Sequence, residues 1–345
     1  MIAMDRDELG ADSRESEGRT RADCATAMPQ VDHSIEGLDI AVLIPCHNEA
    51  LTIARVVEGF RTTLPTARIF VYDNRSTDDT AEVARRTGAI VRAEPWPGKG
   101  NVVRRMFADI DADIYVMADG DGTYDPAVAA AMTRSLVVQH LDMVVGTRRN
   151  VFENAHRAGH GLGNRFFNRL YRELFGPLFT DIFSGYRVFS RRFVKTFPAM
   201  SSGFEIETEI AVHASQLRMP IAEIETAYGK REEGSASKLR TFHDASRILG
   251  TLILLYKEIK PGRFFGLIAG CLILLAAVLG YPLLETYFET GLVPRFPTAI
   301  LATGLVLLGA IAVVAGLILD SVAAGRLEQK RLAYLRMPQL KQPAP

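Results

Sequence analysis

From Asp39 to Val145, short apolar runs alternate with mixed polar and apolar stretches of helical length. Ile40–Ile44, Arg68–Tyr72, Ala89–Arg92, Ile114–Met117 and Met143–Val145 are rich in β-branched and aromatic residues and predict strands. The stretches 50–63, 79–87, 100–110 and 126–140 predict the helices between them. This alternation predicts an α/β domain, spanning 37–236, with a mostly parallel sheet covered by helices. Ligands of such sheets bind beyond the carboxyl ends of the strands.

The pattern then changes. Leu239, Phe242, Leu249, Ile253 and Tyr256 recur at near-helical spacing, with Lys238, Arg240, Arg247, Lys257 and Lys260 among them. Residues 237–262 therefore predict a basic amphipathic helix at a lipid headgroup boundary, the competing reading being a domain helix with one buried face. Two charge-free stretches follow, 264–284 and 296–319, each of about 20 residues and long enough to span a bilayer core. Lys257, Lys260 and Arg263 precede the first; Arg326, Lys330 and Arg331 follow the second. The positive-inside rule then predicts a multi-pass protein of a plasma or inner membrane, its α/β domain and its tail, 321–345, on the cytoplasmic side. Gly266, Gly270, Gly304, Gly309 and Gly316 would allow close helix contact within or between subunits, so self-association is an expectation.

Composition changes this picture little. Lys+Arg and Asp+Glu are both 40, which gives no electrostatic case for nucleic acid. Cys24, Cys46 and Cys271 are scattered, without the spacing of a zinc site or a disulfide framework, as in a reducing compartment. Residues 1–36 are rich in charged and hydroxyl side chains, lack the apolar run of a secretory signal, and predict a disordered tail.

The candidate chemistry lies at successive strand ends. Asp119 and Asp121 follow the fourth strand, where an i, i+2 spacing lets two carboxylates converge on a hard cation such as Mg²⁺ or Mn²⁺. Gly120 and Gly122 would let a nucleotide lie close to the backbone, and Asp125 and Pro126 predict a helix start. Pro45-Cys46-His47-Asn48-Glu49 ends the first strand and Asp73 the second, where it can accept bonds from a base or ribose. Gly98-Lys99-Gly100, after the third, places a cation before a helix and suits a diphosphate. Each signal singly is more often a cap or a solvated turn. Together they predict a nucleotide–metal site. Glu205, Glu207 and Glu209 share one segment; Glu207 and Glu209 are read as favourable charge at a helix N-terminus, and Glu205 stays open as a possible base. His156 and His160 have a metal-like spacing, but Gly159 and Gly161 favour a mobile loop over the site.

On Pro45-x-x-Asn48-Glu49, Asp73-x-x-Ser76-x-Asp78, Gly98-Lys99-Gly100 and Asp119-x-Asp121, the chain resembles the GT-A glycosyltransferases of family 2 from about Asp39 to Lys238. Gly146-Thr147-Arg148, Asp181-x-x-Ser184-Gly185-Tyr186-Arg187, Gly203-Phe204-Glu205 and Arg231-x-x-Gly234-x-x-Ser237-Lys238 are similar to blocks of its polyprenyl-phosphate branch, the dolichyl-phosphate mannose and glucose synthase type. The resemblance implies a GT-A, Rossmann-like domain. It implies donor nucleotide binding by Pro45, Asn48, Glu49, Asp73, Lys99, Asp119 and Gly120, with metal on Asp119 and Asp121. Arg148 and Arg165 would position an acceptor phosphate, and Ser184, Arg187, Arg231 and Lys238 are further candidates for that anion. Thr123 stands where mannose synthases carry a metal-ligating glutamine, and Asn74 where many relatives have Asp. The implied activity is inverting transfer from a nucleotide sugar, a UDP-sugar favoured over GDP-mannose, to a polyprenyl phosphate. The alternatives are transfer to a saccharide or glycolipid hydroxyl, with Glu205 as base, and a membrane-anchored nucleotide-sugar binding protein without turnover.

Overall fold

The computed structural model of the protein describes residues 35–149, 158–229 and 241–340. The chain opens as β1 (Ile40–Cys46), α1 (Ile53–Thr63), β2 (Arg68–Asp73), α2 (Thr80–Arg86), β3 (Ile90–Ala93), α3 (Lys99–Asp109) and β4 (Ile114–Met117). There follow α4 (Ala129–Val138), β5 (Met143–Arg149), α5 (Ala158–Phe175), β6 (Arg187–Ser190), α6 (Arg191–Thr196), α7 (Ile206–Leu217) and β7 (Ile221–Ala227). Three long helices complete it: α8 (Thr241–Ile259), α9 (Pro261–Thr290) and α10 (Phe296–Arg336). The five expected strands are present. β6 and β7, which the hydrophobic pattern did not mark, join them in a seven-stranded sheet of order β3-β2-β1-β4-β6-β5-β7. Only β6 runs antiparallel to its neighbours.

Strand periodicity divides the core. Ala41 and Leu43 of β1 face one cluster, built from α3, α5, α6, α7 and Leu252 of α8; Ile40, Val42 and Ile44 face the other, built from α1, α2 and α4. The chain leaves β1 for β2 on one flank and returns as β4 on the other. The loops after β1 and β4 therefore diverge and open a crevice at the carboxyl ends of the sheet. Residues 1–34 of the expected disordered tail, and His156, lie outside the described residues. The expected loop over the site is corrected in part: Gly159, His160 and Gly161 belong to α5.

α8 has one face buried against the α/β domain. Leu252 is buried, with Ile248, Leu255 and Ile259 against the same core, while Leu249, Ile253 and Leu254 are exposed. Residues 237–240 lie outside the described part. α9 and α10 are each long and apolar enough to cross a membrane and form an antiparallel-type pair running beyond the expected limits. Gly309 packs on Ile273 and Ala269, and Gly316 on Phe265 and Gly262, so these two glycines close the hairpin. Gly266, Gly270 and Gly304 have no neighbouring heavy atom where a Cβ would stand.

Residues 321–336 of the expected tail continue α10 and dock on the α/β domain, and 341–345 lie outside the described residues. The Gly262 amide donates to Asp320 Oδ1 (2.8 Å), Lys330 Nζ to Gln216 Oε1 (2.9 Å), and the Tyr334 hydroxyl to Asp142 Oδ2 (2.6 Å). Arg192 forms a bidentate pair with Asp142 (2.9 and 2.9 Å) and lies over the Tyr334 ring at 4.3 Å. Asp142 is fully buried just before β5, so this end of α10 holds the amino-terminal end of that strand, away from the crevice at the carboxyl ends. From Asp320 to Tyr334 the helix rises about 20 Å.

Tyr334→Phe is expected to cost about 1 kcal/mol, since Asp142 keeps Arg192 and Ser190 as partners. Tyr334→Ala also loses the ring beneath Arg192 and should speed amide exchange at the start of β5 and in α6; unchanged exchange would contradict the docking. A second expectation concerns acid stability. His213 on α7 lies against Phe193 and Phe197, and neither ring nitrogen has a hydrogen-bond partner. Burial, with the Lys330 charge beside it, pushes its pKa down from 6.5 to about 3. The unfolded chain thus takes up the proton first, and the stability this gives at neutral pH is lost as pH falls from about 6.5 toward 3. His213→Leu should flatten the fall of Tm across that window in detergent; an unaltered slope would refute the assignment.

Candidate active site

The loops at the carboxyl ends of β1, β2 and β3 are laced together by side chains. Asn48 has a positive φ (53°) and is exposed; its amide N donates to Ser76 Oγ (2.9 Å) and its Oδ1 accepts from the Thr77 amide (2.7 Å). The Glu49 amide donates to Thr80 Oγ1 (2.8 Å), and His47 Nδ1 to the Asn74 carbonyl (2.7 Å). Pro45 is half-buried within β1, and Glu49 is buried. Asp73 Oδ2 accepts from the Ser76 amide (3.3 Å), whereas its buried Oδ1 has no partner.

Asn74 has a structural reason to be an amide. Its Nδ2 donates to the Glu94 and Trp96 carbonyls (3.0 and 2.7 Å) and its Oδ1 accepts from the Gly98 amide (2.8 Å). A carboxylate has no proton for the first two bonds. This residue shapes the β3 loop, a role its sequence position did not announce.

β4 ends at Met117, and the acidic loop after it is held from both sides. Thr52 Oγ1, fully buried, donates to the Gly120 carbonyl (2.6 Å). A Cβ at Gly120 would collide with Cys46 Sγ, so this glycine serves loop-on-loop packing. Thr123 donates to Asp121 Oδ1 through both its amide (3.1 Å) and its hydroxyl (2.6 Å). The residue at the position of the missing glutamine therefore orients Asp121. Asp125 accepts from the Ala127 amide (2.9 Å) ahead of Pro126, as expected.

Lys99, first residue of α3, is the centre of the site. Its side chain is 9% exposed, and Nζ is ion-paired to Asp119 Oδ1 and to Glu207 Oε1 (2.6 Å). Burial opposes its charge, but Asp119 and Glu207 outweigh that and hold it protonated well above the usual lysine range. Burial pushes the Glu207 carboxyl upward against the attraction of Lys99. The flanking glycines have a packing role. A Cβ at Gly98 or Gly100 would collide with the Ser202 or Ser201 carbonyl, so the space beside them is filled by the 201–203 segment. Arg104 donates to the Ala199, Met200 and Ser201 carbonyls (2.7, 3.0 and 3.2 Å), and Glu209 accepts from the Met200 and Ser201 amides (2.8 and 2.7 Å). Glu207 and Glu209 are thus buried ligands of a cation and of a loop. Both lie in the first turn of α7, as the sequence reading expected, and burial gives each a specific partner besides. Glu205 stands at the N-cap of α7, half-buried, its Oε1 accepting from the Gly203 amide (3.1 Å).

The expected anion-binding residues divide. Arg148 forms a bidentate pair with Asp181 (2.7 and 2.8 Å) and lies over the Tyr228 ring at 5.5 Å. Burial opposes both charges, yet the pair holds Asp181 below the usual carboxylate range. Arg165 is exposed on α5. Ser184 and Arg187 are fully buried. Ser184 Oγ donates to the Gly146 carbonyl (2.5 Å), and Arg187 to the Ser184 and Ile182 carbonyls (2.9 and 2.7 Å), so both fasten the loop before β6 and neither presents a side chain to an anion. Arg231 and Lys238 lie outside the described residues. The fastened loop matters to the site, because a Cβ at Gly185 would collide with Asp119 Oδ2, and the Gly185 amide donates to the buried Tyr124 hydroxyl (2.9 Å).

A mostly parallel sheet with an acidic pair and a buried lysine at its switch point defines a GT-A-type domain. Residues 41–197 match the sequence model of "Glycosyl transferase family 2". The chain is 51% identical over 152 residues to an uncharacterized protein of Shigella flexneri, covering 44% of this chain and 93% of that one. It is 32% identical over 233 residues to the glycosyltransferase AglJ of Haloferax volcanii, covering 66% and 75%. The fold is similar to that of glucosyl-3-phosphoglycerate synthase from Mycobacterium tuberculosis, solved with Mn²⁺, UDP-glucose and phosphoglyceric acid (TM-score 0.56, 22% identity, 69% of this chain and 86% of that one). The protein belongs to glycosyl transferase family 2.

Gly100→Ala should drive the 199–203 segment off α3 and cost about 1–3 kcal/mol. Thermal unfolding measures it. A variant as stable as the parent would show that the contact with the Ser201 carbonyl is not close.

Proposed function

We propose that the protein moves a sugar from a nucleotide-sugar donor, a UDP-sugar in preference to GDP-mannose, to a polyprenyl phosphate, with inversion at the anomeric carbon. The observation that carries this reading is that one chain joins the Lys99–Asp119 site to two long apolar helices, with α10 docked on the same domain. A lipid-borne acceptor would then meet the site at a membrane surface. In this reading α9 and α10 cross a plasma or inner membrane, with the α/β domain and the C-terminus cytoplasmic.

The donor set suits a divalent ion. Asp119 and Asp121 offer hard oxygens, Thr123 orients the second, and among the described residues no group of three or more His, Cys, Asp or Glu is placed to hold a metal. Mg²⁺ and Mn²⁺ sites of this kind are completed by substrate phosphates and water. The M. tuberculosis synthase, whose structure holds Mn²⁺ with UDP-glucose, supports the same choice. Bound there, the ion would offset charge on the leaving diphosphate. Lys99 adds to that effect from a site largely shielded from water. Asp73 Oδ1, unpartnered, suits a hydroxyl or N–H of the nucleoside.

A phosphate monoester is largely ionised at neutral pH, its second pKa being about 6. One of its oxygens forms the new bond to the anomeric carbon as the bond to the diphosphate oxygen breaks, and no strong base is required. Arg148, fixed by Asp181, and Arg165 on α5 are the arginines proposed to place that anion.

The test offers purified protein in detergent, with Mn²⁺ or Mg²⁺ and undecaprenyl phosphate, a panel of radiolabelled UDP- and GDP-sugars. Label should enter the lipid from one donor, and Asp121→Asn or chelation should lower the rate at least about a hundredfold. Label entering only a glycolipid hydroxyl, and lost in Glu205→Gln, would replace the phosphate-acceptor mechanism with one using a carboxylate base. Binding without transfer to any acceptor would indicate a sensor.

A further inference from the structure

Lys99 stands where a metal-ligating carboxylate already has a cation. Its ammonium contacts Asp119 Oδ1 and Glu207 Oε1, and its side chain is 9% exposed. The second Glu207 oxygen, Oε2, is buried without a hydrogen-bond partner. The Gly185 backbone closes over the pair, since a Cβ there would collide with Asp119 Oδ2 and lie 3.0 Å from Lys99 Nζ. The ammonium therefore has little room to retreat except along the line between the two carboxylates.

We propose that Lys99 is the resident counter-cation of the metal-free site and that Glu207 is the positioning residue that retains it when a divalent ion takes Asp119. The inference rests on the reading of Asp119 and Asp121 as the metal ligands. An ion arriving alone meets a carboxylate already neutralised, and it must share that carboxylate with a like charge or push Lys99 toward Glu207. A nucleotide diphosphate removes the conflict, because its oxygens ligate the ion and accept from Lys99 at once. The ion and the nucleotide consequently bind as a pair, each weakly without the other. Glu207 gives Lys99 a second partner throughout, so the ammonium is never buried alone. Asp119 ligates; Lys99 gates; Glu207 positions.

The experiment measures Mn²⁺ affinity of the full chain in detergent by EPR of the unbound ion, without nucleotide and with excess UDP or GDP, and needs no sugar transfer. Lys99→Met should tighten Mn²⁺ binding in the absence of nucleotide about tenfold or more and shrink the enhancement given by nucleotide. The double variant Lys99→Met/Glu207→Gln removes one charge of each sign and leaves no lone buried carboxylate, so it serves where the single variant fails to fold. It too should bind Mn²⁺ alone several-fold more tightly than the parent. If net charge alone governed the site, the double variant would match the parent, and the inference would be overturned. Mn²⁺ affinity unchanged in every folded variant, with nucleotide still enhancing it in the parent, overturns this inference and leaves the metal site standing. No Mn²⁺ binding in the parent, even with nucleotide, overturns both.

Discussion

A buried ammonium between two carboxylates is the constraint on which the crevice depends. Lys99 begins α3, Asp119 follows β4, and Glu207 lies in the first turn of α7, so one ion-paired group joins three elements remote in sequence. Removing one partner of such a buried cluster leaves an uncompensated charge and is far costlier than loss of a surface pair. The surroundings keep the cluster aligned. The 199–203 segment seats on Gly98 and Gly100, Arg104 and Glu209 hold that segment, and the Gly185 loop lies against Asp119. The acidic pair is thus built into the packing of the domain, and a ligand entering there exchanges one set of charge contacts for another.

The membrane-type helices belong to the same physical unit as the sheet. α8 places Leu252 in the core, and α10 returns past the hairpin to reach Asp142 at the amino-terminal end of β5. A bidentate Arg192–Asp142 pair with a tyrosine hydroxyl on the same carboxylate is a far more specific attachment than a flexible linker. The attitude of the crevice to the hairpin is therefore set by side-chain contacts as well as by the short link from α8 to α9. For the proposed lipid-borne acceptor, such rigidity reduces the search between a phosphate at the headgroup level and the donor.

The physical character of the site also accounts for the two departures from the family pattern. Thr123 contributes a hydroxyl that orients Asp121 in place of an amide that would ligate directly. Asn74 supplies two donated bonds that an aspartate could not make, and with them the path of the β3 loop. Both side chains hold the loops of the crevice in place.

The local sequence by itself determined the strands β1 to β5, the intervening helices, the two apolar helices and the placing of acidic and basic groups at strand ends. Each of these is written in hydrophobic period or turn chemistry over a few neighbouring residues. β6 escaped because only Val188 and Phe189 of its four residues are apolar, and β7 because Glu223 and Glu225 interrupt it, so pairing rather than periodicity defines them. Tertiary structure alone decided which partners the charged residues take. Arg148 and Arg187 read alike as phosphate ligands, yet Arg187 is spent on buried carbonyls, and Glu207, read as a helix-end charge, is the partner of Lys99. It alone revealed that the C-terminal stretch, which reads as a tail, is a docked helix. Burial and long-range partners arise from packing among distant segments, and a residue's own neighbours in the chain carry little record of them.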